Sequence, residues 1–331
     1  MTRLAVEHLP LALQAVLRER LAGAASAQVH DWTGSPRGFA TETYLFDLRC
    51  EHDTIPLVFR RPPQYALFPD YDLLRQVLVM RRLAGSGLPV PAVHFLDRDG
   101  GPLGSPYYVM QRLAGDAPGD FPSYHAKGLY HTATPEQRSR MWWGCVDTIA
   151  DIHRLDWHRL RLDFLAVPGG IVGYLGHALH WAAPRPHPAL KRAVDWLDAN
   201  VHHPDDPVLC WGDARMSNIL YDTGMNVAGV LDWELAHLGD HEADLAWMLF
   251  LDWANSTYEG RAPLPGTPTR EQTIEYYQER SGRRVRHLRY HEVLAAVLLA
   301  IPLLRMAAHL DLPPEIDVTA FCIARIEELL P

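Results

Sequence analysis

Between Asp72 and Ala84 apolar residues fall at positions 73, 74, 77, 78, 80 and 83, a spacing that predicts a helix. Gly85 follows where a helix cap is expected. On either side the pattern is that of strands: Tyr44 to Leu48, Ile55 to Arg60, Val90 to Leu96 and Tyr107 to Gln111. Pro62-Pro63 ends the second of these, because proline cannot donate to a ladder. A first amphipathic helix runs from Leu9 to Leu21. Residues 112–136 contain several Gly and Pro and suit a connector. Beyond it the periodicity turns helical, over Gln137 to Leu155, Pro188 to Asn200, Thr269 to Ser281 and Tyr290 to Met306. A strand-rich patch from Val208 to Asp232 interrupts this run. The change of character near Arg112 to Gly115 predicts two lobes, 1–113 and 114–331. The fold class is α+β, with an antiparallel sheet in the small lobe and a larger, mainly helical lobe.

Composition agrees with a packed core: 48 % of the 331 residues are apolar and 21 % charged. With 31 basic and 40 acidic residues the net charge is −9, which gives no electrostatic support to a general nucleic-acid or acidic-membrane role. Lysine occurs only at Lys127 and Lys191, so a phosphate-binding cation is expected to be an arginine. The cysteines, Cys50, Cys145, Cys210 and Cys322, form no CxxC pair and read as buried thiols. The first helix carries Arg18, Glu19 and Arg20 and lacks the apolar run of a signal peptide. The longest apolar stretch, Val293 to Leu304, is too short to span a bilayer and contains Pro302, so it reads as a core helix. A cytoplasmic protein without membrane or nucleic-acid partners is the expectation.

The candidate chemistry sits in Val208-Leu-Cys-Trp-Gly-Asp-Ala-Arg-Met-Ser-Asn-Ile-Leu-Tyr221 and Val227-Ala-Gly-Val-Leu-Asp-Trp-Glu234. An apolar strand delivers Asp213 on a Gly-preceded loop, and Asn218 precedes a second apolar strand. A turn at Asp222-Thr-Gly224 leads to a third strand that ends at Asp232. Two carboxylates and an amide are thereby presented at neighbouring strand ends. Phosphoryl transfer needs such a set: one carboxylate for the attacking hydroxyl, and an oxygen-ligand pair for Mg2+ on the phosphates. The Asp213 to Asn218 separation equals that of the catalytic Asp and metal-binding Asn in the protein-kinase loop.

These segments, with Leu238-Gly-Asp-His-Glu-Ala-Asp-Leu-Ala-Trp247, resemble the aminoglycoside phosphotransferase and choline kinase superfamily, in particular the branch that also forms the kinase-like domain of certain acyl-CoA dehydrogenases. Weaker matches follow in order: Arg60-Arg-Pro-Pro63, Leu83-Ala-Gly-Ser-Gly-Leu-Pro-Val-Pro91, Tyr107-Tyr-Val-Met-Gln-Arg112 and Ile149-Ala-Asp-Ile-His-Arg-Leu-Asp156. The resemblance implies a two-lobed, protein-kinase-like fold with nucleotide held by the first lobe. It implies transfer of the γ-phosphoryl of ATP (or GTP) to a hydroxyl of a small molecule. Asp213 would be the catalytic base, and Asn218 and Asp232 would hold Mg2+. Gly34 to Thr43, with Gly34 and Gly38, would lie over the phosphates, and Gln111 to Leu113 would offer hinge backbone to the base. The roles of Glu234 and Asp244 are left open, bracing of the catalytic loop being the simplest for Asp244.

Three departures stand out. The family's His before Gly-Asp is Trp211, the phosphate-binding Lys falls on Arg60, and the Glu that would pair with it falls on Gln76. Arginine binds phosphate bidentately and stays charged without a carboxylate partner, so Arg60 is expected to do this work with Gln76 orienting it. The opposing reading is a catalytically weak, nucleotide-binding regulatory module. His237 and His241 are four apart with Gly239 between them, and a structural or solvent role is expected. His202-His203, in a loop rich in Pro and Asp, is expected to be solvated, and His153 to be a satisfied core residue. Tyr174 and Trp181 are candidate acceptor-pocket residues. The stretch 164–200 is mainly apolar and aromatic, with Arg185, Lys191 and Arg192 against the acids Asp195 and Asp198, a balance that leans away from a polycationic acceptor.

Overall fold

The computed structural model describes residues 3–35, 41–69, 71–167, 170–313 and 315–331. The chain divides into two compact units: Met1–Ala66, Tyr71–Ala84 and Val90–Ala114 form one, and Leu67–Asp70, Gly85–Pro89 and Gly115–Pro331 the other.

The first unit holds helix α1 (Leu9–Arg20), strands β1 (Gln28–Gly34), β2 (Glu42–Arg49) and β3 (Thr54–Arg61), helix α2 (Leu73–Leu83), and strands β4 (Val93–Asp97) and β5 (Tyr107–Gln111). The five strands form one antiparallel sheet in the order β1-β2-β3-β5-β4. Alternate residues explain its core. Phe46, Leu48, Leu57, Phe59, Tyr107 and Val109 pack with Leu9, Leu13 and Leu17 of α1. Each such side chain contributes about 1.5–3 kcal/mol when removed from water. Asp72 caps α2 by accepting from the Leu74 N–H at 2.8 Å. Strand β4 starts at Val93, not Val90, since Pro91 lacks an N–H and restricts its predecessor. The sequence pattern did not suggest β1. It mixes exposed Gln28, Asp31 and Thr33 with half-buried residues, and its register shifts between His30 and Thr33, where Asp31 takes a φ of 53°.

The second unit holds α3 (Leu129–Thr132), α4 (Pro135–His153), α5 (Gly170–Ala182), α6 (Pro188–Ala199), strands β6 (Val208–Cys210), β7 (Ile219–Tyr221), β8 (Val227–Val230) and β9 (His237–Gly239), and helices α7 (Glu242–Asn255), α8 (Arg270–Ser281), α9 (Leu288–His309) and α10 (Ala320–Leu329). Thr134 and Gln137 make a capping box at the start of α4, and Thr269 and Gln272 repeat it on α8. Helix α9 is longer than its apolar run suggests. At 22 residues it is long and apolar enough to cross a membrane, but 56 % of its most apolar window is buried inside the fold. It packs against α5, α6, α7 and α10. Its Glu292 is fully buried and paired with Arg270 and Arg325, an arrangement suited to a protein core.

Strands β6 and β9 form one antiparallel ladder and β7 and β8 another. The chain therefore leaves β6, makes a loop and the β7–β8 hairpin, and returns through a second loop to β9 beside β6. Both loops lie next to the same ladder, and they carry the candidate chemistry.

Candidate functional site

Val208, Leu209 and Cys210 are buried, which anchors β6 and fixes where the next residues emerge. Gly212 has a φ of 88°, and a Cβ there would lie 2.1 Å from the Leu235 carbonyl oxygen, so only glycine fits this crossing of the two loops. Asp213 follows, then a 3-10 turn over Met216–Asn218 that leads into β7. On the second loop Asp232 takes a φ of 59°, a left-handed conformation unusual for a side-chain-bearing residue. The loops are tied together. The Leu231 N–H donates to the Asn218 carbonyl at 2.9 Å. The Trp211 indole N–H reaches the carbonyls of Leu231 (2.8 Å) and Asp232 (3.2 Å). These links place Asp213, Asn218 and Asp232 on two loops joined at both levels.

The Asp213 carboxylate is buried, with 6 % of the residue exposed. Its Oδ1 accepts from the Trp247 indole N–H at 2.8 Å, and its Oδ2 accepts from Asn218 Nδ2 at 2.7 Å and faces Arg215 at 2.9 Å. Burial pushes its pKa up from the ordinary carboxylate value. Arg215 pulls it down, the nearby charge of Asp232 pushes it up again, and the Asn218 bond lowers it; the net direction is upward. Arg215 bridges Asp213 and Asp120, and those charges raise its own pKa against burial. The amide of Asn218 is oriented by two donations, to the Asp213 carboxylate and to the Asp213 carbonyl at 3.0 Å. Its oxygen is therefore directed away from those acceptors.

Asp244, in the first turn of α7, braces the same loop. It accepts from the backbone N–H of Trp211 (2.7 Å) and of Gly212 (2.8 Å), and from His153 Nε2 (2.9 Å). Burial opposes its charge, but these donors prevail and hold its pKa below the usual value. The other ring nitrogen of His153 meets the Tyr277 hydroxyl at 2.7 Å, so this histidine is a satisfied core residue.

The first unit places the remaining candidates. Arg60 and Tyr108 are register partners across β3 and β5, and Arg60 is buried. Gln76 Oε1 accepts from the Tyr108 hydroxyl at 3.2 Å, and Tyr108 is the cross-strand neighbour of Arg60. Arg61 points elsewhere: it is fully buried on Glu42 at 2.6 Å and the Leu4 carbonyl at 2.9 Å. The Gln111 N–H donates to the Ala92 carbonyl and the Arg112 N–H to the Pro56 carbonyl, while Leu113 makes no hydrogen bond among the described residues. Gly34 ends β1 opposite Tyr44. Gly38 lies outside the described residues.

Three contributors carry no signal of their own in the sequence beyond membership of the motifs: Trp211 as a tie between loops, Arg215 on Asp213, and Trp247 on Asp213. Asp120, the second partner of Arg215, had no local signal at all. His237 Nδ1 contacts the Leu235 carbonyl and His241 Nδ1 the Tyr277 hydroxyl, both within the fold. His202 is not solvated as expected: it is half-buried, with Nε2 2.9 Å from Asp240 Oδ2. On α5, the Trp181 ring is covered by the Arg305 guanidinium at 4.3 Å.

Known proteins share both sequence and shape with this chain. It is 28 % identical over 232 residues to human acyl-CoA dehydrogenase family member 11, which covers 66 % of the chain and 29 % of the relative. Its matches span only 19–30 % of the length of such curated relatives, which are much longer. Among solved structures, a Ralstonia eutropha protein provisionally assigned as an aminoglycoside phosphotransferase superposes with a TM-score of 0.70 at 22 % identity, over 96 % of this chain and 95 % of that one. A thermostable mutant of aminoglycoside phosphotransferase APH(4)-Ia, in ternary complex with AMP-PNP and hygromycin B, gives a TM-score of 0.64 at 16 % identity, over 96 % and 97 %. The fold is kinase-like. Residues 19–288 match the profile of the phosphotransferase enzyme family, and that span contains every loop described above: the chain belongs to this family.

Proposed function

We propose that the protein transfers the γ-phosphoryl of ATP or GTP to a hydroxyl of a small molecule, with Asp213 as the base and Mg2+ held by Asn218 and Asp232. The observation that carries this reading is the joining of the two loops, by Leu231 N–H to Asn218 and by Trp211 to Leu231 and Asp232, beside a buried carboxylate. The donor set fits the metal: the Asn218 amide nitrogen is committed to Asp213, which leaves its oxygen as a ligand, and Asp232 adds a carboxylate. Two hard oxygen donors suit Mg2+, which keeps water and phosphate oxygens for its other positions. When bound, the ion would neutralise charge on the phosphates.

The chain's own part begins at Asp213. Its raised proton affinity suits acceptance of a hydroxyl proton, and Oδ1, which meets only the Trp247 indole, retains a lone pair for it, while Oδ2 is taken by Asn218 and Arg215. The acceptor oxygen attacks the γ-phosphorus, its proton passes to Asp213, and the bond from the γ-phosphorus to the bridging oxygen breaks to leave the nucleoside diphosphate. Arg60 is assigned to phosphate charge, and Arg61 is excluded as its substitute by its full burial on Glu42 and Leu4. Gly34 and Gly38 are assigned to the phosphate loop. The unused backbone groups of Leu113, next to Gln111, are assigned to the nucleotide base. The APH(4)-Ia neighbour binds AMP-PNP together with a small molecule, which supports the same pairing of ligands here. For the acceptor, the apolar and aromatic character of 164–200 and the Arg305 cover on Trp181 favour a neutral or anionic hydroxy compound over a polycation.

A thermal-shift screen with ATP or GTP plus Mg2+, followed by phosphorylation assays on a panel of hydroxy metabolites, tests the proposal. Nucleotide-dependent stabilisation and product formation, abolished in Asp213→Ala, are expected. No phosphorylated product from any acceptor would sink the enzymatic reading. The second reading, a weak nucleotide-binding regulatory module, is favoured by one observation, the engagement of Gln76 by Tyr108. It predicts stabilisation by nucleotide without turnover.

A further inference from the structure

Outside the Asp213 and Asp232 loops, three segments converge on one carboxylate. Asp240 stands between β9 and α7, and its Oδ1 caps that helix by accepting from the Glu242 N–H at 2.9 Å. Its Oδ2 faces two imidazoles: His202 Nε2 at 2.9 Å, from the loop after α6, and His291 Nε2 at 3.5 Å, from the first turn of α9. His291 is 5 % exposed, and among the described residues neither of its ring nitrogens has a hydrogen-bond partner. A buried imidazole with no contact better than 3.5 Å to a carboxylate is unusual, because buried polar groups are nearly always well satisfied. The ligand atoms of His202, Asp240 and His291 lie within 4.8 Å of one another.

We propose that His202, Asp240 and His291 bind a divalent transition-metal ion, Zn2+ by its donor preference, at a structural site separate from the phosphotransfer chemistry. Two imidazoles and one carboxylate are a common zinc donor set, and hard cations such as Mg2+ do not favour imidazole. Zinc bonds of about 2.0–2.2 Å in tetrahedral array separate ligand atoms by about 3.3 Å. The observed 2.9 and 3.5 Å fall on either side of that value, so shifts of a few tenths of an ångström bring both pairs into line. The rings are also held in place before any ion arrives. His287 stacks on His202 with centroids 4.3 Å apart, and Tyr290 stands edge-on to both His202 and His291. Water would complete the fourth position from the side of His202, the most exposed of the three.

Two other clusters of metal-ligand side chains are already engaged within the fold. His153, Cys210 and Asp244 are buried together, but both His153 nitrogens and both Asp244 oxygens are already engaged. In the group Asp240, His241 and Glu242, His241 Nδ1 meets Tyr277, and Glu242 accepts from the N–H groups of Arg286 and His287. Only the His202 cluster holds a buried ring with no hydrogen-bond partner among the described residues. The ion would fasten the loop after α6, the start of α7 and the start of α9 to one point.

The test is calorimetric titration of the metal-stripped full chain, purified without a histidine tag, with Zn2+ in millimolar Mg2+. Uptake of one equivalent, undisturbed by Mg2+, is expected. His202→Ala and His291→Ala should each weaken it on the order of 100-fold. Substitution with Co2+ should give the visible absorption of a tetrahedral site. Circular dichroism checks that each variant folds; if His291→Ala does not, the half-buried His202→Ala decides alone. Failure of the wild-type chain to take up one equivalent, or unchanged affinity in a folded His202→Ala, overturns the proposal.

Discussion

Asp213 and Asp244 are both buried carboxylates in the same part of the second unit, each with three donors, yet their proton affinities move in opposite directions. Asp244 is met by two backbone N–H groups and His153, and its pKa is lowered. Asp213 is met by Trp247, Asn218 and Arg215, but it also feels the charge of Asp232, and its pKa is raised. The contrast shows that the number of donors does not settle how a buried acid titrates. Burial pushes both acids up; at Asp244 the donors outweigh it, whereas at Asp213 burial prevails with help from the charge of Asp232, which belongs to the pair proposed to hold the metal. One acid is held charged and braces a loop; the other has the raised proton affinity that the proposed base requires.

Replacing each acid separates the two roles. Asp213→Asn should lower turnover roughly 10⁴-fold while unfolding free energy changes by less than about 1 kcal/mol, read by steady-state kinetics and urea denaturation. Asp244→Ala should do the reverse in emphasis. It strands two N–H groups and an imidazole in the core and should cost about 3 kcal/mol of stability by denaturant titration. Trp211→Phe removes the tie between the loops but leaves the ring volume. A fall of about tenfold in kcat is expected, worth about 1.4 kcal/mol, with Trp211→His recovering part of it. Arg215→Gln removes a positive charge that favours ionised Asp213, so the acid limb of the activity–pH profile should move to higher pH by about one unit.

The last expectation concerns acid stability, and its effect is the smallest near neutral pH. Because Asp244 has a lowered folded pKa, its stabilisation is present above the unfolded value of about 3.9 and is lost as pH falls through the folded value. Chemical denaturation at several acid pH values should therefore show a steeper loss of stability in the wild-type chain than in Asp244→Asn.

Strands β2 to β5, α2 and the strand ends bearing Asp213, Asn218 and Asp232 are legible because local periodicity and short motifs specify them. Helix α7 was not assigned as a helix, although its motif was read. Leu245 to Leu251 are buried without interruption, so no polar face marks a helical period. Helix α5 is continuous, but Gly173 and Gly176 interrupt its apolar pattern, so it too lacks a clear stripe in the sequence. The tie from Trp211 to the Asp232 loop and the meeting of His202 with Asp240 and His291 depend on side chains far apart in the sequence. No local pattern announces such contacts. The short polar loop around His202 in fact suggested the opposite environment.

Gly212 has a consequence for how this enzyme family member could change its substrate. The backbone of one loop passes the Leu235 carbonyl where even a methyl group has no room. Variation that retunes the acceptor must then accumulate in helices and connections elsewhere, while this crossing stays sealed against every other amino acid. A library that randomises position 212 should return glycine alone among functional clones, which makes the crossing a natural fixed point around which specificity can be redesigned.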